Sequence, residues 1–281
     1  INHSMNLIKF VNSDIRDYKA IEKYILKADI VFHLAAHMEV RLAVENPELD
    51  FQINMIGTNN IFRACLKSNI DRLIFASSCG VYGDLSADKL NENDASPNNP
   101  YGAAKYASEI FGKAFHKCYG MPFVGIRLFS MYGPRLRQTV IYDLIKRIKE
   151  NPLKLQVYGT GKVVRDFTYV KDAAQDLLNI SENSKSIGQV FNYSGNQQYS
   201  ILELANMIID ILGLNNITKV EPTGKSWSGD MDRLCSDNSK VLTVLPKGKI
   251  KSRKLKEGLK EYIEWLDTEK DWGLLNIRKN I

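Results

Sequence analysis

A tyrosine and a lysine stand four residues apart in NPYGAAKY (99–106), just behind a proline and a glycine. On a helix Tyr101 and Lys105 would share one face, one turn apart. A free phenol has a pKa near 10 and is a poor base at neutral pH, but a cation within a few Å lowers such a pKa by about 1–3 units. Tyr101 beside Lys105 could therefore exchange a substrate proton near pH 7. The spacing alone decides nothing, because Tyr142/Lys146 and Tyr158/Lys162 repeat it. The first pair differs in its surroundings. Ser77 and Ser78 close the apolar run RLIFASS (72–78) about two dozen residues before Tyr101, and ligands of open parallel sheets collect at the carboxyl ends of strands. Ser78 could hold a reacting hydroxyl by a hydrogen bond. The bland alternative is a surface tyrosine beside a solvated lysine.

The elements that must position these groups read as α/β. Short apolar runs, KFVNS, DIVFHLAA, RLIFASS, FVGIRLF and later VFNYSG, alternate with segments of helical period, as in parallel strands joined by crossover helices. Between 101 and 119, Ala107, Ile110, Phe111, Ala114, Phe115 and Cys118 recur at steps of three and four, which predicts a helix. After about residue 130 the text reads as helix (VIYDLIKRIKE), strand and turn (LKLQVYGTGK), then RDFTYVKDAAQDLLNI. The expectation is a doubly wound, mostly parallel sheet in residues 1–130 and a smaller substrate lobe in 131–281 with segments returning to the first domain.

The 281 residues, 44% hydrophobic and 25% charged, are ordinary for a globular chain with a sizeable core. No apolar run approaches the roughly 20 residues that cross a bilayer, and INHSMNLIKF lacks the basic-then-apolar order of a secretory signal, so a cytoplasmic protein is expected. Cys65, Cys79, Cys118 and Cys235 are scattered, without metal-ligand spacing; reduced, mostly buried thiols and no metal are expected. Much of the net charge of +6 sits in KGKIKSRKLKEGLKEY (247–262). That run reads as the solvated side of a loop and helix whose apolar face is Leu259, Ile263 and Leu266, not as a nucleic-acid patch.

Several motifs in order resemble the extended short-chain dehydrogenase/reductase proteins that act on nucleotide sugars, the UDP-glucose 4-epimerase type in particular. They are DIRD (14–17), VFHLAAHMEVR (31–41), NPELDFQINMIGTNN (46–60), SSCGVYG (77–83), PYGAAK (100–105), RLFSMYGPR (127–135), RDFTYVKDAA (165–174) and GDMDRLCSDNSK (229–240). The resemblance implies NAD as cofactor, a UDP-sugar as substrate, and Ser78, Tyr101 and Lys105 as the catalytic set. It implies Asp14 and Ile15 near the adenine, Leu34, Ala35 and Ala36 along the cofactor, Asn54 behind it, Phe129 near the nicotinamide, and Lys105 on the nicotinamide ribose. On the substrate side it implies Ser78, Ser130, Tyr158 beside the base, Arg165 on the diphosphate, Asp230 and Arg233. Helices at 46–68 and 101–119 resemble those that pair into a homodimer in the family.

The implied reaction opens with removal of the C4 hydroxyl proton by Tyr101 as a 4-keto sugar forms. Relatives that dehydrate carry an Asp-Glu pair just before the VYG motif, and decarboxylating relatives keep a glutamate; here the residues are Cys79 and Gly80. C4 epimerisation is the expected outcome. The rivals are a nucleotide-sugar reductase, a uronic-acid epimerase, and a noncatalytic NAD or nucleotide-sugar binding module. Trp227 stands where many relatives have an arginine, with Arg233 as its candidate substitute, Ser130 replaces a frequent asparagine, and Leu234 falls where room for an N-acetyl group is set.

The family also opens with a strand, a glycine-rich turn and a helix, about 40 residues ahead of the position matched by Asp14. None of the eighteen glycines has that spacing, so a truncated chain is expected. Without the turn whose N–H groups hold a pyrophosphate, the 281 residues alone should bind NAD weakly or not at all. Isothermal titration calorimetry reads this directly, and tight binding would contradict it.

Overall fold

In the computed structural model, residues 7–85, 87–224, 232–270, 274 and 277 are described. Helix α1 (Tyr18–Ile25) leads to strand β1 (Ile30–His33), then α2 (Val40–Glu45) and α3 (Pro47–Asp50). A π-helical stretch (Phe51–Gly57) runs on into α4 (Thr58–Leu66), followed by β2 (Arg72–Ser78) and a 3-10 turn (Cys79–Tyr82). Next come α5 (Pro100–Tyr119), β3 (Phe123–Leu128), β4 (Met131–Tyr132), α6 (Thr139–Glu150), β5 (Lys154–Val157), β6 (Val164–Tyr169) and α7 (Val170–Glu182). The chain continues through β7 (Gln189–Tyr193), β8 (Gln197–Ser200), α8 (Ile201–Ile211), β9 (Lys219–Pro222), β10 (Arg233–Leu234), α9 (Ser239–Leu242) and α10 (Leu255–Lys270).

The fold is mixed α/β with a parallel sheet. One sheet has the order β1-β2-β3-β7, with β1 parallel to β2 and Ile30 opposite Arg72. A second has the order β10-β6-β4, parallel at both pairings, with β8 antiparallel on β6; β5 and β9 form a parallel pair. Two compact units result. The first holds residues 1–76, 99–125 and 187–189, and the second 77–98, 126–186 and 190–281.

In the first unit, Phe62 of α4 meets Phe75 of β2 and Phe123 of β3 edge-on, with ring centroids 5.9 and 5.7 Å apart. Helix α5 closes on this cluster because Gly112 has no side chain: a Cβ there would lie 2.3 Å from the Phe123 ring. The helix starts where Asn99 accepts a hydrogen bond from Gly102 N at 3.0 Å, with Pro100 in the first turn, and stops at Gly120 in the left-handed conformation. In the second unit the core joins α6, α8 and α10 over β5 and β6, and Leu259, Ile263 and Leu266 are fully buried as the apolar stripe of α10 requires.

Most elements agree with the apolar periods. One does not: KFVNS (9–13) is irregular, not a strand, and Leu7, Ile8 and Phe10 are exposed. Its composition suits a strand, but no described neighbour offers it a ladder of hydrogen bonds, and a strand without one is not formed. The helix expected over 46–68 is interrupted by the π-helical stretch. There the Ser108 hydroxyl on α5 donates to the Asn54 carbonyl at 3.3 Å, satisfying an acceptor in the widened turn. The thiols of Cys65 and Cys235 are buried and Cys79 is half-buried, but Cys118, near the end of α5, is exposed.

Candidate active site

Of the three Tyr-x-x-x-Lys pairs, Tyr142/Lys146 lies on α6 with Lys146 3.8 Å from Glu150 at the surface, and Tyr158/Lys162 lies in an exposed turn. Tyr101 and Lys105 are different. They occupy the first two turns of α5, Tyr101 is buried, and Lys105 is only 2% exposed. The Lys105 ammonium sits 6.0 Å from the centre of the Tyr101 ring and 4.9 Å from that of Phe75. It donates to the Ala76 carbonyl at 2.8 Å, where β2 ends its first-unit stretch. Burial pulls the Lys105 pKa down from its ordinary range to about 8, against the pull of the Asp50 and Glu109 charges, which favour the cation.

Around this amine the first unit builds a polar cluster inside the apolar packing. Asn54, in the π-helical stretch, accepts from His37 N at 3.0 Å and donates to His37 O at 2.8 Å, so it clamps the backbone just past Leu34, Ala35 and Ala36. The same Asn54 amide also donates to Asp50 Oδ1 at 2.8 Å. His37 Nδ1 lies 3.3 Å from that oxygen. His33, at the end of β1, is 3% exposed and shares a hydrogen bond of 2.9 Å with the Thr58 hydroxyl. Its burial and the Lys105 charge push its pKa down to about 3.

Asp14 is exposed, and the Arg16 guanidinium 2.6 Å away holds its carboxyl down at about 2. Ile15 is fixed at both ends: Asn60 donates to its carbonyl at 3.1 Å, and its side chain fills the space beside Gly57. Leu34 and Ala35 are exposed at the strand end, and Ala36 is half-buried.

The other expected residues belong to the second unit. Ser78 caps the 3-10 turn, its hydroxyl accepting from Gly80 N at 3.1 Å. Tyr82, which ends that turn, donates to Asn192 Oδ1 at 2.5 Å and accepts from Arg127 at 2.9 Å. Arg127 also donates to the Glu92 carbonyl at 2.9 Å, and Asn192 N donates to the Glu92 carboxylate at 2.8 Å. This buried network fixes the turn that carries Ser78 and Cys79. Burial pushes the Cys79 thiol up to about 11. Phe129 is buried 6.1 Å from the Tyr82 ring, and the Ser130 carbonyl accepts from Thr168 N at 3.0 Å.

Tyr158 is exposed, with the Arg147 guanidinium 4.1 Å above its ring. On β6, Arg165 donates to the Val164 carbonyl at 3.0 Å. Arg233 of β10 donates to Gln198 at 2.9 Å and to the Asp88 carbonyl at 3.1 Å. Register pairs Arg233 with Val164 and Leu234 with Arg165, so alternation sends the two arginines to opposite faces of this small sheet. Leu234 is buried. Asp230 and Trp227 lie outside the described residues.

Sequence reasoning passes over Asp50, His33 and His37 in the first unit, and over Tyr82, Glu92, Arg127 and Asn192 in the second. A signal exists for some: Arg127 interrupts an apolar strand, and Asp50 opens the helical stretch DFQINMIG with an acid. Polar groups in such places are hydrogen-bonded when buried.

The model of the NAD dependent epimerase/dehydratase family matches residues 2–193. A Methanocaldococcus jannaschii protein that carries the provisional name UDP-glucose 4-epimerase is 34% identical over 265 residues, covering 92% of this chain and 84% of its own. Among solved structures, the UDP-N-acetylglucosamine 4-epimerase of Methanobrevibacter ruminantium in complex with UDP-N-acetylmuramic acid is 30% identical with a TM-score of 0.84, covering 92% and 83%. The UDP-glucuronic acid 4-epimerase of Bacillus cereus, in complex with UDP-glucuronic acid and NAD, is 29% identical with a TM-score of 0.84, covering 95% and 85%. The chain belongs to the NAD-dependent epimerase/dehydratase family, a Rossmann-like group of nucleotide-sugar enzymes whose cofactor is NAD.

The residues present suit parts of that cofactor. Ala35 and Ala36 present small side chains at the strand end, and the Asp14 carboxylate is half exposed, with both of its oxygens bonded by Arg16. Lys105 has three N–H donors, of which the Ala76 carbonyl takes one.

His33 gives the site a pH signature. Below pH 6.5 an unfolded histidine takes up a proton that the folded one refuses until about pH 3. Stability from this group is complete above pH 6.5 and falls as pH drops toward 3, at up to about 1.4 kcal/mol per pH unit. Urea unfolding at a series of pH values between about 7 and 4.5 should show a shallower loss of stability in His33→Gln than in the wild type. Parallel curves would remove the buried imidazole as a cause.

Proposed function

We propose that the protein catalyses NAD-dependent epimerisation at C4 of a UDP-sugar through a transient 4-keto sugar. The observation that carries this reading is the buried Tyr101–Lys105 pair at the start of α5, with the ammonium 6.0 Å from the phenol ring. The cation lowers the cost of a phenolate, so Tyr101 takes the C4 hydroxyl proton as the carbinol becomes a ketone and returns it afterwards. Ser78, in the second unit, is the proposed hydrogen-bond partner of a substrate hydroxyl. Accepting a hydride and giving it back is the chemistry that NAD supplies when bound, with Asp14, Ile15, the Leu34–Ala36 segment, Phe129 and Lys105 as its contacts.

On the substrate side Arg165 takes the diphosphate, a task suited to its planar fork of donors, and Tyr158 lies beside the uracil. Arg233 on β10, on the opposite face of the sheet from Arg165, is the candidate second diphosphate contact, and it bonds Gln198 and the Asp88 carbonyl. Relatives of similar sequence or fold carry names of epimerases for UDP-glucose, UDP-N-acetylglucosamine and UDP-glucuronic acid, which supports the UDP-sugar class and leaves the sugar to experiment. No helix among the described residues is long and apolar enough to cross a membrane.

A form of the protein that binds NAD, incubated with NAD and each of these UDP-sugars, should yield the 4-epimer of at least one, read by chromatography and NMR of the products. Tyr101→Phe should lower the rate by about 100- to 10,000-fold with the fold intact. A net reduced product, or turnover unchanged in Tyr101→Phe, would sink the assignment.

The outer face of the π-helical stretch and α5 supports a homodimer. Phe51, Ile56, Ile110 and Phe111 are exposed there, and Phe51, Met55, Phe62 and Phe111 line a groove that is mostly apolar. Sedimentation should give twice the chain mass, and Phe111→Glu should yield monomers. A monomeric wild type would end the dimer proposal alone.

A further inference from the structure

Asp50 is fully buried, and only half of its carboxylate is explained by local structure. Oδ1 accepts from Asn54 and faces His37 Nδ1, whereas Oδ2 meets no hydrogen-bond donor among the described residues. An unpartnered carboxylate oxygen in an apolar interior is costly unless a positive charge compensates it. A buried cation of this unit is Lys105 on α5, the helix against which α3 and the π-helical stretch pack. Lys105 is itself short of compensation, since its amine donates to the neutral Ala76 carbonyl.

We propose that Asp50, assisted by Glu109, is a positioning residue whose negative charge keeps Lys105 a cation. The inference rests on the epimerase reading for the use of that cation and adds how the cation survives burial. The groups facing Lys105 are Asp50 from α3, Glu109 and Tyr101 from its own helix, and His33 from β1. Of these, Asp50 and Glu109 favour the charged amine, burial opposes it, and His33 stays neutral near neutral pH. His37 Nδ1 lies 3.3 Å from Asp50 Oδ1, and Arg41, Glu45, Glu48 and Arg63 on the neighbouring helices are exposed.

A purely structural Asp50 and a charge-bearing Asp50 behave differently on replacement by asparagine. The Asp50→Asn variant keeps the Oδ1 acceptor for Asn54 and His37 and loses only the charge. The direct readout is the pH titration of the lysine side chain in protein labelled with ¹³Cε-lysine, with Lys105 identified by its disappearance in Lys105→Met. The wild-type Lys105 signal should titrate near pH 8. In Asp50→Asn it should titrate about one pH unit lower, with Asp50→Glu restoring it. The alkaline limb of kcat/KM against pH should move down with it.

A Lys105 titration that stays in place in folded Asp50→Asn overturns the proposal. Should that variant not fold, Glu109→Gln is measured in the same way, and an unmoved signal there also overturns it. The NMR titration needs no turnover. A shifted Lys105 in a protein that epimerises nothing therefore upholds the charge pairing and rejects only the reaction.

Discussion

A lysine ammonium with almost no contact with water is the constraint around which the first unit is arranged. Moving such a charge out of water costs several kcal/mol even after relaxation, and here the opposing terms are few and local. One is the Ala76 carbonyl at 2.8 Å. Another is the negative face of the Phe75 ring at 4.9 Å, and the last is the pair of carboxylates on α3 and α5. Each depends on close packing of α5 against the sheet and the π-helical stretch. Gly112, lying where a single methyl would strike Phe123, is part of what permits that approach. The widened turn that presents the Asn54 carbonyl to Ser108 places Asn54 itself where it clamps the His37 backbone. Backbone order at the strand end and charge at Lys105 thus share the Asp50–Asn54 contact.

The second unit solves a different problem, holding a short turn still. The Ser78 hydroxyl satisfies the Gly80 N–H of that turn and Tyr82 anchors its end. The Tyr82 hydroxyl both donates and accepts, so its direction is fixed by Asn192 and Arg127 together. Arg127 is buried and donates to a phenol and a carbonyl, while the Glu92 side chain is spent on the Asn192 backbone. Asp166 is held in the same manner, by Ser194, Gln197 N and Ser236 N, which steadies β6 next to Arg165.

How much of this can be read from the chain depends on the range of the forces involved. Periodicity is a property of neighbours, so the strand at 72–78, the helix at 101–119 and the apolar stripe of α10 are legible. The Tyr101–Lys105 spacing is legible as well, and the strand-end serines and the PYGAAK motif single it out from two identical spacings; its burial is what only the tertiary packing supplies. KFVNS misleads because a strand is a relation between two segments, and composition describes one. Asp50 escapes notice because a helical acid is solvated by default; what makes it unusual is that tertiary packing covers it completely. Arg127 falls within a motif, yet its partners Glu92 and Tyr82 lie 35 and 45 residues away in sequence.

Position 79 bears on the fate of a 4-keto sugar in the proposed reaction. Once the ketone exists, the C5 hydrogen beside it is acidic, and a base in reach would draw the reaction toward elimination. A thiol can serve as such a base only as thiolate. Cys79 lies in the turn fixed by Ser78 and Tyr82, and burial there outweighs the Arg165 charge, so the thiol is pushed up to about 11 and is neutral near pH 7. Arg165 pulls in the opposite direction, but a diphosphate bound to it would cancel that pull and leave the thiol still less ionised. In the proposed reaction Cys79 therefore does not supply the base that elimination at C5 would need.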